Sequence, residues 1–175
     1  MKRVMWLVPA ILFFCVSAKA QDVPAWEAEG GYSYLSANFG GTTFHLQGGH
    51  GTLTENLNDW FGGRFEVAAF GGPVNGTNLS AQTATYGPVF SYRRFDRVTP
   101  FANLQLGAVH ASQGYLGISE SAFKFAMYGG GGADFRVSNH IAIRGQADYL
   151  MTRFLGTRQD NIQFSAGVVW YLGHK

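Results

Sequence analysis

The chain has 175 residues, of which 46% are hydrophobic and only 14% charged, with 13 basic side chains against 11 acidic ones. Soluble domains carry about 25% charged residues, so water is a poor match for this surface. The near balance of charge also gives nucleic acid no electrostatic support as a partner.

Residues 1–20 carry a basic start at Lys2 and Arg3, an apolar run and an Ala18-Lys19-Ala20 cleavage pattern. That is the layout of a secretory signal peptide, and cleavage is expected after Ala20. The apolar run from Val4 to Ala18 is shorter than the roughly 20 residues of a transmembrane helix. Cleavage would remove Cys15 and with it any disulfide or thiolate metal site. It would also remove Lys2, Arg3 and Lys19, leaving ten basic residues against eleven acidic and only two lysines, Lys124 and Lys175. Residues 21–175 are of a length that suits one domain.

From Trp26 onward, alternating segments of roughly ten residues are separated by turn chemistry, which predicts about eight antiparallel strands. The first, Trp26 to Leu35, sets Ala28, Gly30, Tyr32 and Tyr34 against Glu27, Glu29, Gly31 and Ser33. The second, Thr43 to Thr54, sets Phe44, Leu46 and Gly48 against His45, Gln47 and Gly49, and its Gly48–Gly51 run predicts a bulge. After a turn at Asn56–Asp59, the third strand opposes Phe61, Gly63, Phe65, Val67 and Ala69 to Gly62, Arg64, Glu66 and Ala68. A longer loop is expected over Gly71–Gln82. The fourth strand, Thr83 to Arg93, then places Tyr86, Pro88, Phe90 and Tyr92 opposite Gly87, Val89, Ser91 and Arg93.

A short turn at Arg94–Thr99 opens the fifth strand, where Ala102, Leu104, Leu106 and Ala108 oppose Asn103, Gln105 and Gly107. A second longer loop is expected over Ser112–Ser121. The sixth strand, Ala122 to Val137, separates Phe125, Met127 and Phe135 from Lys124, Tyr128, Asp134 and Arg136. Beyond Ser138–His140, the seventh separates Ile141, Ile143, Ala147, Tyr149 and Met151 from Arg144, Gln146 and Asp148. The last long loop is Arg153–Asp160. The eighth strand, Asn161 to Leu172, has a wholly apolar face of Ile162, Phe164, Ala166, Val168, Trp170 and Leu172.

Alternating short and long connections are those of a transmembrane barrel, with compact periplasmic turns and longer extracellular loops. With both termini on the short-turn side, Trp26, Trp60 and Trp170 fall near one interface, where an aromatic girdle belongs. A lipocalin-like barrel, apolar inside, would need a charged outer surface. The polar face here is sparse in lysine and mixed in sign, which suits a packed interior better than a soluble exterior. Eight strands enclose room only for side chains, and an unpaired charge buried there would cost several kcal/mol. Glu29, Glu66, Asp134 and Asp148 are therefore expected to meet Arg64, Arg136 and Arg144 in an interior network.

The segments Val98–His110, Gly130–Phe154 and Phe164–Gly173 resemble the small outer-membrane β-barrel family of OmpA-like and OmpX-like transmembrane domains. The resemblance implies an all-β, eight-stranded antiparallel up-and-down transmembrane β-barrel in the bacterial outer membrane. It further implies a structural or surface-interaction role and contact with outer-membrane lipid and lipopolysaccharide. Gly167, Trp170 and Leu172 match the family's C-terminal signal for the barrel-assembly machinery. A monomer without cofactor or metal is expected. A narrow porin-like pore is the alternative from another class.

His110-Ala111-Ser112 is the best enzymatic lead, since His-x-Ser is similar to the motif of barrel-shaped lipid A deacylases acting at the outer leaflet. The histidine would serve as base for the serine, with Glu120 orienting it. A dipeptide spacing is also what a strand end with an interfacial histidine looks like, and no catalytic residue is assigned. His45 and His50 lie five apart on one strand and point to opposite faces, which argues against a shared metal. The Gly129–Gly132 run lacks the Lys-Ser/Thr of a phosphate loop and reads as a kink that lets the sheet curve.

Overall fold

The structure is a computed structural model, describing residues 23–39, 42–74, 77–115, 118–154 and 157–173. The expected signal peptide lies outside the described residues. Eight strands follow in chain order: β1 (Trp26–Phe39), β2 (Thr42–Asn56), β3 (Phe61–Val74), β4 (Thr77–Ser91), β5 (Val98–Tyr115), β6 (Ile118–Arg136), β7 (Ile141–Phe154) and β8 (Thr157–Leu172). Each pairs antiparallel with the next, and β8 pairs with β1, so the sheet is a closed barrel. Closure matters because an unpaired backbone group in hydrocarbon costs several kcal/mol, and a closed ladder leaves no open edge.

The period-two pattern sorts side chains to the two faces. Along β8, Phe164, Val168 and Trp170 are exposed on the outer wall while Gln163, Ser165, Val169 and Tyr171 are buried inside. The same division holds along β3, where Phe65 and Val67 face out and Arg64 and Glu66 face in.

Three local expectations are corrected. The β1–β2 pairing runs without a break from Trp26↔Glu55 to Phe39↔Thr42, so the Gly48–Gly51 run forms no bulge. Glycine there serves close approach instead: a Cβ at Gly48 would lie 1.8 Å from the Ala69 carbonyl oxygen. Leu46, expected on the apolar outer face, points into the barrel, and His45 points out. Leu46 joins Leu35, Phe70, Val109, Tyr128 and Leu150 in an apolar cluster inside the half of the barrel away from the short turns. Finally, the expected long loops are mostly strand. β5 and β6 stay paired up to Tyr115↔Ile118, and β7 and β8 up to Phe154↔Thr157. At 14 to 19 residues, the strands exceed the roughly 9–11 needed to cross a bilayer. Sequence alternation reports which residues are buried, and a ladder can continue in water where nothing is buried.

Pro88 sits in β4 with its ring outward. Lacking an N–H, it interrupts the ladder to β5 between Tyr86↔Leu106 and Val89↔Asn103.

Candidate functional site

The interior divides into layers. Below the apolar cluster, toward the short turns, the lumen is lined by acidic, basic and amide side chains. At its centre Arg144 on β7 donates through Nε and Nη2 to the two carboxylate oxygens of Asp134, at 2.5 and 2.6 Å. These residues are direct cross-strand partners, and period two aims both inward. The same guanidinium reaches Glu29 at 3.1 Å and Glu27 at 2.8 Å. Arg93, entering from the end of β4, donates to Glu27 at 2.7 Å and to Asn56 at 2.9 Å. One fork thus ties together three carboxylates, and it is 1% exposed. A bidentate, charge-assisted pair of this kind is among the stronger polar contacts.

Glu29 also accepts from His50 Nε2 at 3.0 Å and from Thr52 Oγ1 at 2.9 Å. The carboxylate only accepts, so Nε2 carries the hydrogen, and the Ser33 hydroxyl meets Nδ1 at 2.8 Å. Ser33 in turn touches Ser165 at 2.9 Å. Hydroxyl, imidazole and carboxylate stand here in the order that nucleophilic catalysis uses. Ser33 is 0% exposed, however, leaving a substrate carbonyl no approach. The line is a buried structural network.

Arg64 donates to Thr54 at 3.0 Å and to Gln146 at 3.0 Å. Gln146 passes the contact on to Asp148, which also accepts from Asn103 at 3.1 Å. Glu66 accepts from Gln105 and Gln163, each at 3.4 Å. Both guanidiniums lie against the ring of Phe101, with Arg64 at 4.6 Å and Arg144 at 4.7 Å from its centroid. The quadrupole of the ring attracts each cation.

Of the seven residues expected to form the network, Arg144, Asp134 and Glu29 meet directly. Glu66 and Asp148 are linked to amides, with Arg64 reaching Asp148 only through Gln146. Arg136 lies at the mouth, 5.3 Å from the Tyr171 ring. Glu27, Arg93, His50 and Phe101 belong to the layer without having been singled out. All four share the inward parity of the polar face, which was the signal available.

Of the assembly residues, Trp170 and Leu172 face out, while Gly167 faces in against Glu29, where a Cβ would stand 3.0 Å from Oε1. Trp26, Trp60 and Trp170 are exposed at the short-turn end, and Trp60 stacks on Phe90 at 6.1 Å. The Asn58 side chain fixes that turn by accepting from the backbone of Trp60 and Phe61. His110 is on the outer wall beside Gln82; the side chains of Ser112 and Glu120 lie outside the described residues. Among the described residues no group of three or more His, Cys, Asp or Glu could hold a metal ion.

The fold matches solved outer-membrane barrels. Neisserial surface protein A aligns with a TM-score of 0.76 at 12% identity, covering 85% of this chain and 97% of that one. The attachment invasion locus protein Ail of Yersinia pestis aligns at 0.59 and 19% identity over 84% and 99% of the two chains. OprG of Pseudomonas aeruginosa aligns at 0.60 and 10% identity over 88% and 98%. Comparison with curated protein sequences returns no match. Residues 7–170 match the family described as outer membrane protein beta-barrel domain, and the chain belongs to that family.

Proposed function

We propose that this protein is a plugged outer-membrane barrel with a structural and surface-interaction role, exported by cleavage after Ala20 and acting as a monomer without catalysis. The short turns would face the periplasm and the extended hairpins the exterior. One observation carries the reading: Arg64, Phe101, Arg144 and the carboxylates around them cluster inside the barrel, all of them almost fully buried. Charges so placed hold one another in position and leave an ion no continuous water path.

In this role the barrel anchors and the hairpins make contacts. Ail has been solved with the heparin analogue sucrose octasulfate, an instance of ligand binding by a barrel of this fold. Outer-membrane lipid and lipopolysaccharide would surround the wall, and the barrel-assembly machinery would read the β8 end.

Planar-bilayer recording tests the plug. The expected trace is featureless, whereas steady single-channel steps from the purified protein would favour a narrow pore.

A further inference from the structure

Not every acid inside the barrel has a base. Among the described residues five buried carboxylates, Glu27, Glu29, Glu66, Asp134 and Asp148, face three buried guanidiniums, Arg64, Arg93 and Arg144. The ion pairs among them all go to Glu27, Glu29 and Asp134. Glu66 and Asp148 are met by amides, while Arg64 donates to Thr54 and Gln146. With His50 neutral, the excess is two negative charges.

The ladder brings these two acids to one level. Asn103 on β5, Gly130 on β6, Asp148 on β7 and Gln163 on β8 are successive cross-strand partners, so they form one inward row. Gly130 leaves open the space where a Cβ would collide with Asp148 Oδ1. From β3, Glu66 reaches this row through Gln163, and it meets Gln105 beside it, each at 3.4 Å. Both contacts are longer than the usual hydrogen-bond range of about 2.7–3.2 Å, so Glu66 is loosely held.

The amides supply a second observation. A carboxylate only accepts, so Asn103 must turn Nδ2 to Asp148 and Gln163 must turn Nε2 to Glu66. The oxygens of the same amides, Asn103 Oδ1 and Gln163 Oε1, are buried without a hydrogen-bond partner. Gln163 is 0% exposed and Asn103 5%. Because Gln163 Nε2 also donates to Ser165, on the short-turn side, its oxygen opens toward the level of Asp148 and Asn103. Two acceptors without donors thus stand beside two carboxylates without cations. A buried acceptor left unpaired is costly, and a cation is what such a set of oxygens lacks.

We propose that Glu66, Asp148, Asn103 and Gln163 bind one calcium ion inside the barrel. A divalent charge equals the excess. Four carboxylate and two amide oxygens reach the lower end of the roughly six to eight that calcium takes, in a geometry it lets vary. Magnesium demands a near-ideal octahedron and keeps several waters. No group of three or more His, Cys, Asp or Glu is present among the described residues, so the donors suit a hard cation and not a transition metal. The site goes beyond the plug: a conducting lumen would speed exchange of the ion without removing its donors.

Protein refolded without lipopolysaccharide in a zwitterionic detergent, then dialysed to equilibrium against radioactive calcium, tests it. The wild type should hold one calcium ion more per barrel than Glu66→Gln with Asp148→Asn. Calcium, compared with EDTA, should raise the urea midpoint of the wild type and leave that of the variant unchanged. Equal binding or equal shifts would overturn the proposal. Terbium, a luminescent substitute for calcium, gives a measurement that does not need the acid variant to fold. Tyr128 is the inward cross-strand partner of Gln105 and 2% exposed, so exciting tyrosine should yield terbium emission that calcium displaces and Tyr128→Phe largely abolishes. Emission unchanged by Tyr128→Phe would put the ion elsewhere and overturn the site. So would a urea midpoint that rises on acidification equally with and without calcium, since the two carboxylates would then share a proton instead.

Discussion

Arg144 and Asp134 face each other across the β6–β7 ladder and share two hydrogen bonds of 2.5 and 2.6 Å inside the barrel, where both are almost fully buried. Loss of Arg144 would leave Asp134 without these two hydrogen bonds and take a cation from Glu27, which keeps Arg93 and Asn56, and from Glu29, which keeps His50 and Thr52. Breaking a buried pair by removing one partner costs about 3–5 kcal/mol. Arg144→Met should therefore lower the unfolding free energy in urea, measured in detergent or bilayers, by about that much. Adding Asp134→Leu should recover part of the loss. If the double variant is as unstable as the sum of the two single ones, the two side chains do not act as a unit.

Arg64 and Arg144 both lie within 4.7 Å of the centre of the Phe101 ring, so the ring fills space in the lumen against both guanidiniums. Phe101→Ala should cost about 3–5 kcal/mol from cavity formation alone. It should also produce single-channel steps in planar bilayers where the wild type shows none. A silent variant would mean that the remaining side chains close the lumen without the ring.

The eight strands, and the faces of all but β2, where Leu46 turns inward and His45 outward, were legible because an outer wall on one side and a packed lumen on the other enforce period two along a strand. Parity placed Arg64, Glu66, Arg144 and Asp148 inside without any structure. It could not say which acid meets which base, because partners such as Arg144 and Glu29 are set by barrel closure, 115 residues apart in sequence. Phe101 was hidden for a different reason: an aromatic residue on the polar face breaks the pattern used to find that face. The outer ends of the strands were missed because pairing there continues without an apolar face to announce it.

Trp170 and Leu172 lie on the outer wall of β8, away from the lumen network, so they contribute little to interior packing. Gly167, in contrast, faces Glu29 with no room for a side chain. Replacing Trp170 and Leu172 with serine should slow the appearance of the heat-modifiable folded form in cells while leaving the stability of the assembled fraction within about 1 kcal/mol. Gly167→Val should lower both. Normal assembly kinetics after the double serine replacement would remove the β8 end from any part in insertion.

The β6 glycines separate two uses of the same residue. A Cβ on inward-facing Gly132 would lie 2.0 Å from the Gly145 carbonyl oxygen and 2.9 Å from the Gln146 Cα, both backbone atoms that can yield only by moving a strand. On the neighbouring strand, outward-facing Gly145 has nothing within 4 Å of the same position. Overpacking typically costs about 1–3 kcal/mol, whereas a substitution clear of such contacts stays within about 0.5 kcal/mol. Gly132→Ala should accordingly lower the urea midpoint in bilayers and Gly145→Ala should not. Both changes add one methyl group and remove one glycine, so their difference isolates the inward contact. Equal effects would show that β6 needs glycine for backbone freedom and not for the close approach of β7.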